Sequence, residues 1–235
     1  VRRLVAAALA GLALTGCGGG AGESTTVFAA SSLTIPFEEI AEDREVSLSF
    51  DGSSGLVDQL AGGAPADVLV TADGRTMDRA VELGLVAGEP TMFATNRLVL
   101  VTPPDNPAGV TGLDDSLDGA KLVVCAPDVP CGDASARLAR RADVALEPVS
   151  EETKVTDVLG KVTAGEADAG LVYLTDARAA GNAVHVIEVP GADAEPNTYW
   201  IAAVTGGDAQ RAREFIELVQ RSGPVLERLG FGPGR

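Results

Sequence analysis

The stretch Val27-Phe28-Ala29-Ala30-Ser31-Ser32-Leu33-Thr34 constrains the fold more than any other. Its four leading apolar residues suit a strand buried on both faces, and Leu33, Phe37, Ile40 and Ala41 then recur at helical spacing. A strand therefore turns into a helix at a pair of serines. Pro36 is tolerated in a first helical turn, which places Ser32 close to the N-cap, its hydroxyl and the free backbone N–H groups pointing the same way. Such a terminus attracts anions.

The same strand-and-helix grammar recurs along the chain. Val46, Leu48 and Phe50 alternate with polar residues as a strand, Asp51-Gly52-Ser53-Ser54-Gly55 breaks it, and Leu56, Val57 and Leu60 fit a short helix. Asp51 reads there as an exposed turn residue, the alternative being a carboxylate that faces the cleft as an acceptor. Gly63-Ala64-Pro65 turns the chain into a strand over 67–70, followed by a helix carrying Met77, Ala80, Val81 and Leu83 that stops at Gly84. An apolar strand at 98–101 closes on Pro103-Pro104, and a second set of elements begins. A strand over 121–125 leads through a loop at 126–132 to a helix over 134–141, and Val155, Val158, Leu159 and Val162 share a face of the next helix. Residues 169–173 form a further strand, with Thr175-Asp176 as the cap of the helix that follows, and 184–189 form another strand. A strand over 199–204 returns to the first half, where helices at 209–220 and 224–229 close it. The expected architecture is α/β, with two lobes joined by crossing strands. Residues 26–101 and 205–235 make lobe 1, and 102–204 make lobe 2.

Residues 1–17 read as an export signal, with Arg2 and Arg3 ahead of an apolar core and the small-residue run Leu14-Thr15-Gly16-Cys17. That core is too short for a permanent membrane span. Residues 18–25 form a Gly-rich tether with nothing apolar to bury. The chain has a formal charge of −16, and without Arg2 and Arg3 there remain 16 basic against 34 acidic residues, or −18. Phosphate backbones would repel such a protein, so nucleic acid is excluded as a partner.

Several of these segments also carry a family resemblance. Leu14-Thr15-Gly16-Cys17 resembles a bacterial lipobox, whose cysteine becomes the lipid-modified first residue of the mature protein; two acyl chains suffice for stable anchoring. Val27-Phe28-Ala29-Ala30-Ser31-Ser32-Leu33, Gly52-Ser53-Ser54, Gly63-Ala64-Pro65-Ala66-Asp67-Val68, Asn96-Arg97-Leu98-Val99-Leu100-Val101, Val129-Pro130-Cys131-Gly132 and Gly165-Glu166-Ala167-Asp168-Ala169-Gly170-Leu171-Val172-Tyr173 stand in the order and spacing of the molybdate-binding proteins of ABC importers. The chain resembles that family over nearly its whole mature length.

The resemblance implies a two-lobed periplasmic-binding-protein fold of type II with two crossing hinge strands and an oxyanion, molybdate or tungstate, in the cleft. It implies a lipid-anchored extracytoplasmic receptor, expected as a monomer, with no cofactor and with a membrane permease as partner. Carried over residue by residue, the hydroxyls and backbone N–H groups of Ser32 and Ser53 would hold the ion from one lobe, and the backbone N–H groups of Cys131 and Val155 with the Tyr173 hydroxyl from the other. Cys131 departs from the alanine usual at its place. Cys125 and Cys131, close in sequence and outside the cytoplasm, read first as a disulfide across the loop, with a pair of free thiols as the alternative.

The residues agree with this on physical grounds. Four helix starts, after Ser32, Ser53 and Cys131 and at Val155, can supply donors with partial positive charge, and no lysine or arginine belongs to the set. A site made only of donors accepts a fully deprotonated oxyanion and refuses a protonated phosphate, which needs an acceptor. Sulfate is the nearest competing ligand. A secreted hydrolase using Ser32 or Ser54 is the competing class, but His185 is the only histidine and lies in an alternating strand, and Gly52-Ser53-Ser54-Gly55-Leu56 lacks the final glycine of a nucleophile elbow. Zinc would have to use two cysteines and one histidine at unsuitable spacing, and no phosphate-binding or dinucleotide fingerprint occurs.

Overall fold

The computed structural model describes residues 24–234, so the export signal, Cys17 and the tether up to residue 23 lie outside the described residues. The elements in chain order are β1 (Thr25–Ala30), α1 (Thr34–Ala41), β2 (Val46–Asp51), α2 (Ser53–Ala61), β3 (Val68–Thr71), α3 (Gly74–Glu82), β4 (Val86–Asn96), β5 (Leu98–Thr102), β6 (Leu122–Cys125), α4 (Pro130–Ala142), β7 (Ser150–Glu152), α5 (Val155–Thr163), β8 (Ala169–Tyr173), α6 (Leu174–Ala180), β9 (His185–Ile187), β10 (Asn197–Val204), α7 (Ala209–Arg221), α8 (Gly223–Leu229) and β11 (Gly232–Pro233). Thr25, expected in the tether, already belongs to β1, where it pairs with Val46.

Two mixed sheets result. The first has the order β11-β4-β10-β3-β1-β2, and the second β7-β6-β8-β5-β9. In each, the strands that feed helices run parallel, β1 beside β2 and β3, and β6 beside β7 and β8. Their C-terminal ends therefore point one way, and the helices start from one edge. Antiparallel strands, β10 in the first sheet and β5 in the second, complete the pairing.

The chain passes between the sheets twice, once through Arg97 alone and once through the segment from β9 to β10. The crossings thus fall earlier than the sequence suggests. Residues 98–101, read as part of lobe 1, pair with β8 in the second sheet, and 197–204, placed in lobe 2, pair with β3 and β4 in the first. An all-apolar run fits the middle of either sheet equally well, so its pattern carries no information about which sheet receives it. β4 itself escapes the sequence reading because Gly88 and Pro90 interrupt it and its register with β10 shifts twice. The two crossings are tied together: Arg97 Nη2 donates to Glu188 Oε1 at 3.0 Å, and its Nε lies 3.0 Å from Asp193 Oδ1.

Helices cover both faces of the first sheet. On one face Phe28, Leu56, Val57, Leu60, Leu69 and Met77 pack as a cluster under α2 and α3. On the other, aromatic rings form a chain: Phe37 meets Phe215 edge-on at 5.6 Å, Phe93 meets Tyr199 at 6.2 Å, and Tyr199 meets Phe231 at 5.4 Å and Tyr173 at 6.0 Å. That chain joins the closing helices to the strand ends between the sheets. Tyr173 and Tyr199 are almost wholly buried, which is costly for a phenol unless its hydroxyl finds a partner.

Asp67 fixes the closing helices to β1. Its buried carboxylate accepts from Thr26 N at 2.8 Å and from Asp208 N at 2.7 Å, just before α7, and faces Arg211. Burial pushes its pKa up, but the two backbone donors and Arg211 outweigh burial and hold it below the ordinary carboxylate value of 3.8. A carboxylate with a depressed pKa contributes stability that is complete above the ordinary value and is lost as pH falls through the folded one. Asp67→Asn is expected to lower unfolding free energy by about 3 kcal/mol at pH 7. In urea titrations the difference from the parent protein should shrink as the pH drops below about 4.

Candidate functional site

The edge from which the helices start is also where the two sheets meet, and a cavity lies there. Ser32, Ser53, Cys131, Val155 and Tyr173 all line it, with Ala30, Ser31, Asp51, Gly52, Ala72, Val129, Pro130, Thr153 and Lys154. The space is small, about 10 Å³ measured to the centre of a water-sized sphere. That is room for about one water-sized particle and not for a chain of waters.

The serines do not serve as ordinary helix caps. Residues 31–33 make a single 3₁₀ turn before α1, and Ser32 Oγ lies 2.9 Å from Tyr199 Oη instead of capping a helix. Ser53 is the first residue of α2, and its Oγ accepts from Ala72 N at 3.1 Å across to the end of β3. Because Ser53 Oγ is already an acceptor there, its own proton is left to point into the cavity. On the other side Cys131 lies in the first turn of α4 and Val155 opens α5. First-turn N–H groups have no intrahelical acceptor, and both belong to the positive end of a helix dipole.

Cys125 and Cys131 are joined by a disulfide, with Cα atoms 5.6 Å apart. It closes the loop between β6 and α4 and holds the first turn of α4 against the strand end. The loop folds so tightly that a Cβ on Gly132 would lie 1.8 Å from Ala126 O, so only glycine fits.

Tyr173, the last residue of β8, is the fifth member. Burial first, then the neighbouring Tyr199, Asp73 and Asp176, push its pKa well above the ordinary tyrosine value. It remains a neutral phenol and thus a donor. β8 runs directly into α6, whose N-cap is Tyr173 itself; Thr175 and Asp176, expected as the cap, sit inside the helix.

The lining also holds a charge pair that the sequence reading leaves out of the site. Asp51 ends β2 half-buried rather than standing in an exposed turn, and its carboxylate accepts from Gly52 N at 2.8 Å and Gln59 Nε2 at 3.1 Å. Lys154 Nζ lies 3.9 Å from Asp51 Oδ1, joining β2 on one side of the cavity to the start of α5 on the other. Opposite charges this close leave the rim near neutral, so it adds little net charge beside the donors of the cavity. Two further contacts cross the gap beside it: Ser54 Oγ donates to Asp128 O at 2.9 Å, and Arg75 Nη2 to the same oxygen at 3.2 Å. The lobes are closed on one another, and Gly52 permits it, since a Cβ there would lie 2.1 Å from Thr153 O. A Gly52-Ser53 sequence is the signal that could have announced this close approach.

Four residues behind the lining have no part in the site as the sequence reads it. Asn96, Asn197, Tyr199 and Asp176 reach the lining residues or one another from the second layer, Asn197 through Tyr173, Tyr199 through Ser32, Asn96 through Tyr199 and Asp176 through the backbone of Tyr173. Asp176 is buried, and its Oδ2 has no hydrogen-bond partner. Burial lifts its pKa to about 7, offset only in part by the backbone N–H of Tyr173. It borders an adjoining groove between the lobes with Ser31, Ser32, Thr34, Ile35, Arg178, Arg228 and Phe231. His185 lies on the edge strand β9, away from the cavity lining, and no helix among the described residues is long and apolar enough to cross a membrane. Among the same residues no three His, Cys, Asp or Glu side chains gather as metal ligands.

Comparison with known proteins gives a consistent result. Residues 25–231 match the model of the family described as bacterial extracellular solute-binding protein. The molybdate-binding protein ModA of Mycobacterium tuberculosis is 41% identical over 219 residues, covering 88% of this chain and 84% of the relative. ModA of Haemophilus influenzae is 29% identical over 231 residues, covering 90% of each. The periplasmic molybdate-binding protein of Azotobacter vinelandii superposes with a TM-score of 0.79 over 90% of this chain and 100% of that one, at 18% identity. The two-lobed type II fold is thus shared, and the relatives are solute-binding proteins rather than enzymes.

The buried carboxyl of Asp176 has a consequence for pH. Its folded pKa stands above the ordinary value of 3.8, so between about pH 4 and about 7 the native protein keeps a proton that the unfolded chain releases. Stability falls as pH rises through that window and levels off above it. Asp176→Asn keeps an acceptor for Tyr173 N and removes the ionisation. The variant should be more stable than its parent at pH 8, by at least about 1 kcal/mol, and its melting temperature should lose the decline between pH 4 and 7.

Proposed function

The chain belongs to the bacterial extracellular solute-binding protein family, and from that premise we propose that it is an extracytoplasmic receptor that encloses molybdate, or tungstate, between its lobes and delivers it to a membrane ABC importer. The observation that carries this reading is the convergence of Ser32, Ser53, Cys131, Val155 and Tyr173 on one closed cavity. Two lobes contribute neutral donors to it, from four helix starts and one buried phenol.

The physical logic follows from the cost of drying an anion. A dianion moved out of water must recover its hydrogen bonds from the protein, and each bond to a charged acceptor is worth about 1.5–3 kcal/mol net. Both lobes must be present to supply the full set. The ion therefore binds the closed form more tightly than the open one, and that difference drives closure. The closed form is then the one a permease reads. Neutral dipoles carry the site, which lets a chain of formal charge −16 hold a negative ion.

Donor geometry also supports the choice of ligand. Molybdate, tungstate and sulfate carry no proton at neutral pH and match the donors of Ser32, Ser53, Cys131, Val155 and Tyr173, while hydrogen phosphate brings a donor of its own and the one carboxylate in the lining, Asp51, already accepts from Gly52 N and Gln59 Nε2 and faces Lys154. Lipid attachment at Cys17 would hold the receptor at the membrane surface, with residues 18–24 as the leash to β1.

The protein lacking residues 1–17 is expected to bind one molybdate per chain in calorimetry, with sulfate and phosphate weaker. Equal affinity for sulfate would overturn the molybdate assignment. Ser32→Ala combined with Ser53→Ala should weaken molybdate binding by at least about a hundredfold. The circular dichroism spectrum should not change; unaltered affinity would remove the two serines from the site.

A further inference from the structure

Asn96 ends β4 and Asn197 opens β10, and the two face each other as a register pair where the chain crosses between the sheets. Both are buried, 4% and 3% exposed. Asparagine is disfavoured in strands, and a buried amide without partners is costly, so a pair of them at a hinge calls for an explanation.

The backbone dictates which way each amide faces. Asn96 Oδ1 accepts from Arg97 N at 2.9 Å, which turns its Nδ2 toward Thr175 Oγ1 at 2.8 Å and Tyr199 Oη at 3.4 Å. Asn197 Nδ2 lies 3.1 Å from Ala72 O and 3.4 Å from Pro130 O, two carbonyls that only accept. The same Nδ2 reaches Tyr173 Oη at 2.8 Å. Each asparagine thus presents a donor, never an acceptor, to a buried tyrosine oxygen.

That orientation propagates. Tyr173 Oη accepts from Asn197, so its own proton turns to the cavity that Tyr173 lines. Tyr199 Oη lies 3.4 Å from Asn96 Nδ2 and 2.9 Å from Ser32 Oγ, a contact in which either hydroxyl can donate; with Asn96 donating to it, Tyr199 can pass its own proton to Ser32 Oγ, which leaves the Ser32 proton for the cavity. Ser53 reaches the same state through Ala72 N. The hydroxyls of Tyr173, Ser53 and, by way of Tyr199, Ser32 thus have donors behind them that leave their own protons for the cavity.

We propose that Asn96 and Asn197 are specificity-determining positioning residues: through Tyr199 and Tyr173 they fix the direction of the hydroxyl protons and so make the cavity refuse oxyanions that carry a proton. The inference rests on the oxyanion reading above and adds the residues that impose its selectivity. Asn197 acts directly on a cavity hydroxyl at 2.8 Å, and Asn96 acts through one relay at 3.4 Å, so the first has the larger effect.

The test compares Asn197→Ala, Asn96→Ala and Asn197→Ser with the parent protein, using molybdate and inorganic phosphate in calorimetry between pH 6 and 8. Asn197→Ser removes the long amide but keeps a small polar group, in case the alanine variant does not fold; cooperative thermal unfolding identifies the folded variants. In Asn197→Ala the Tyr173 hydroxyl is freed to accept, and the molybdate-to-phosphate affinity ratio should fall about tenfold. Asn96→Ala should lower it less. Folded variants that lose affinity for both ions in equal proportion, or keep the parent ratio, would overturn the positioning role and leave the receptor assignment standing. A parent protein that binds neither ion would instead overturn the receptor assignment, and this inference with it.

Discussion

An ion sealed from water can be held only if every hydrogen bond it loses is replaced, and replaced by partners whose direction is already set. The arrangement of the two sheets answers that requirement. Parallel strands end along one edge, helices begin where they end, and N–H groups with no intrahelical acceptor gather between the lobes. The disulfide from Cys125 to Cys131 and the tight turn at Gly132 keep one of these helix starts in place. Charged side chains contribute little to the interior. Asp51 and Lys154 face each other at the rim and largely cancel.

The same requirement explains why so large a part of the hinge is aromatic and amide. Tyr173 and Tyr199 lie edge to face at 6.0 Å and connect the cores of the two halves. Their rings pack as apolar bodies, while their oxygens belong to the hydrogen-bond network of the cleft. Asn96 and Asn197 then serve two purposes. Their amides reach across to Thr175, Tyr173 and Pro130 in the second half while their backbones pair with each other in the first.

What the sequence makes legible follows from how local each signal is. The turn from strand to helix at Ser31-Ser32, the glycine before Ser53 and the helix opened by Val155 all depend on neighbours within a few residues, and each stands where local pattern puts it. Membership of a sheet is not local. The run at 98–101 is buried on both faces wherever it pairs, and only its register with β8 assigns it to the second sheet. The hydroxyls of Ser32 and Ser53 look like helix caps in the sequence, yet their partners are Tyr199 and Ala72, 167 and 19 positions away. Asn96 and Asn197 are still less visible, because an amide has no periodicity and, Arg97 N apart, its partners lie between 24 and 125 positions away. Asp176 reads as a cap residue, and only burial reveals it as a carboxyl that holds its proton close to neutral pH.

The ion pairs of Arg97 give the joint between the halves its mechanical character. One crossing is a single residue long, and that residue grips Glu188 and Asp193 on the other. Two ribbons fastened side by side resist shear and torsion but still flex about the line perpendicular to both. A joint so short favours a jaw-like swing of the halves over sliding, and a swing brings facing groups back to the same juxtaposition when it shuts.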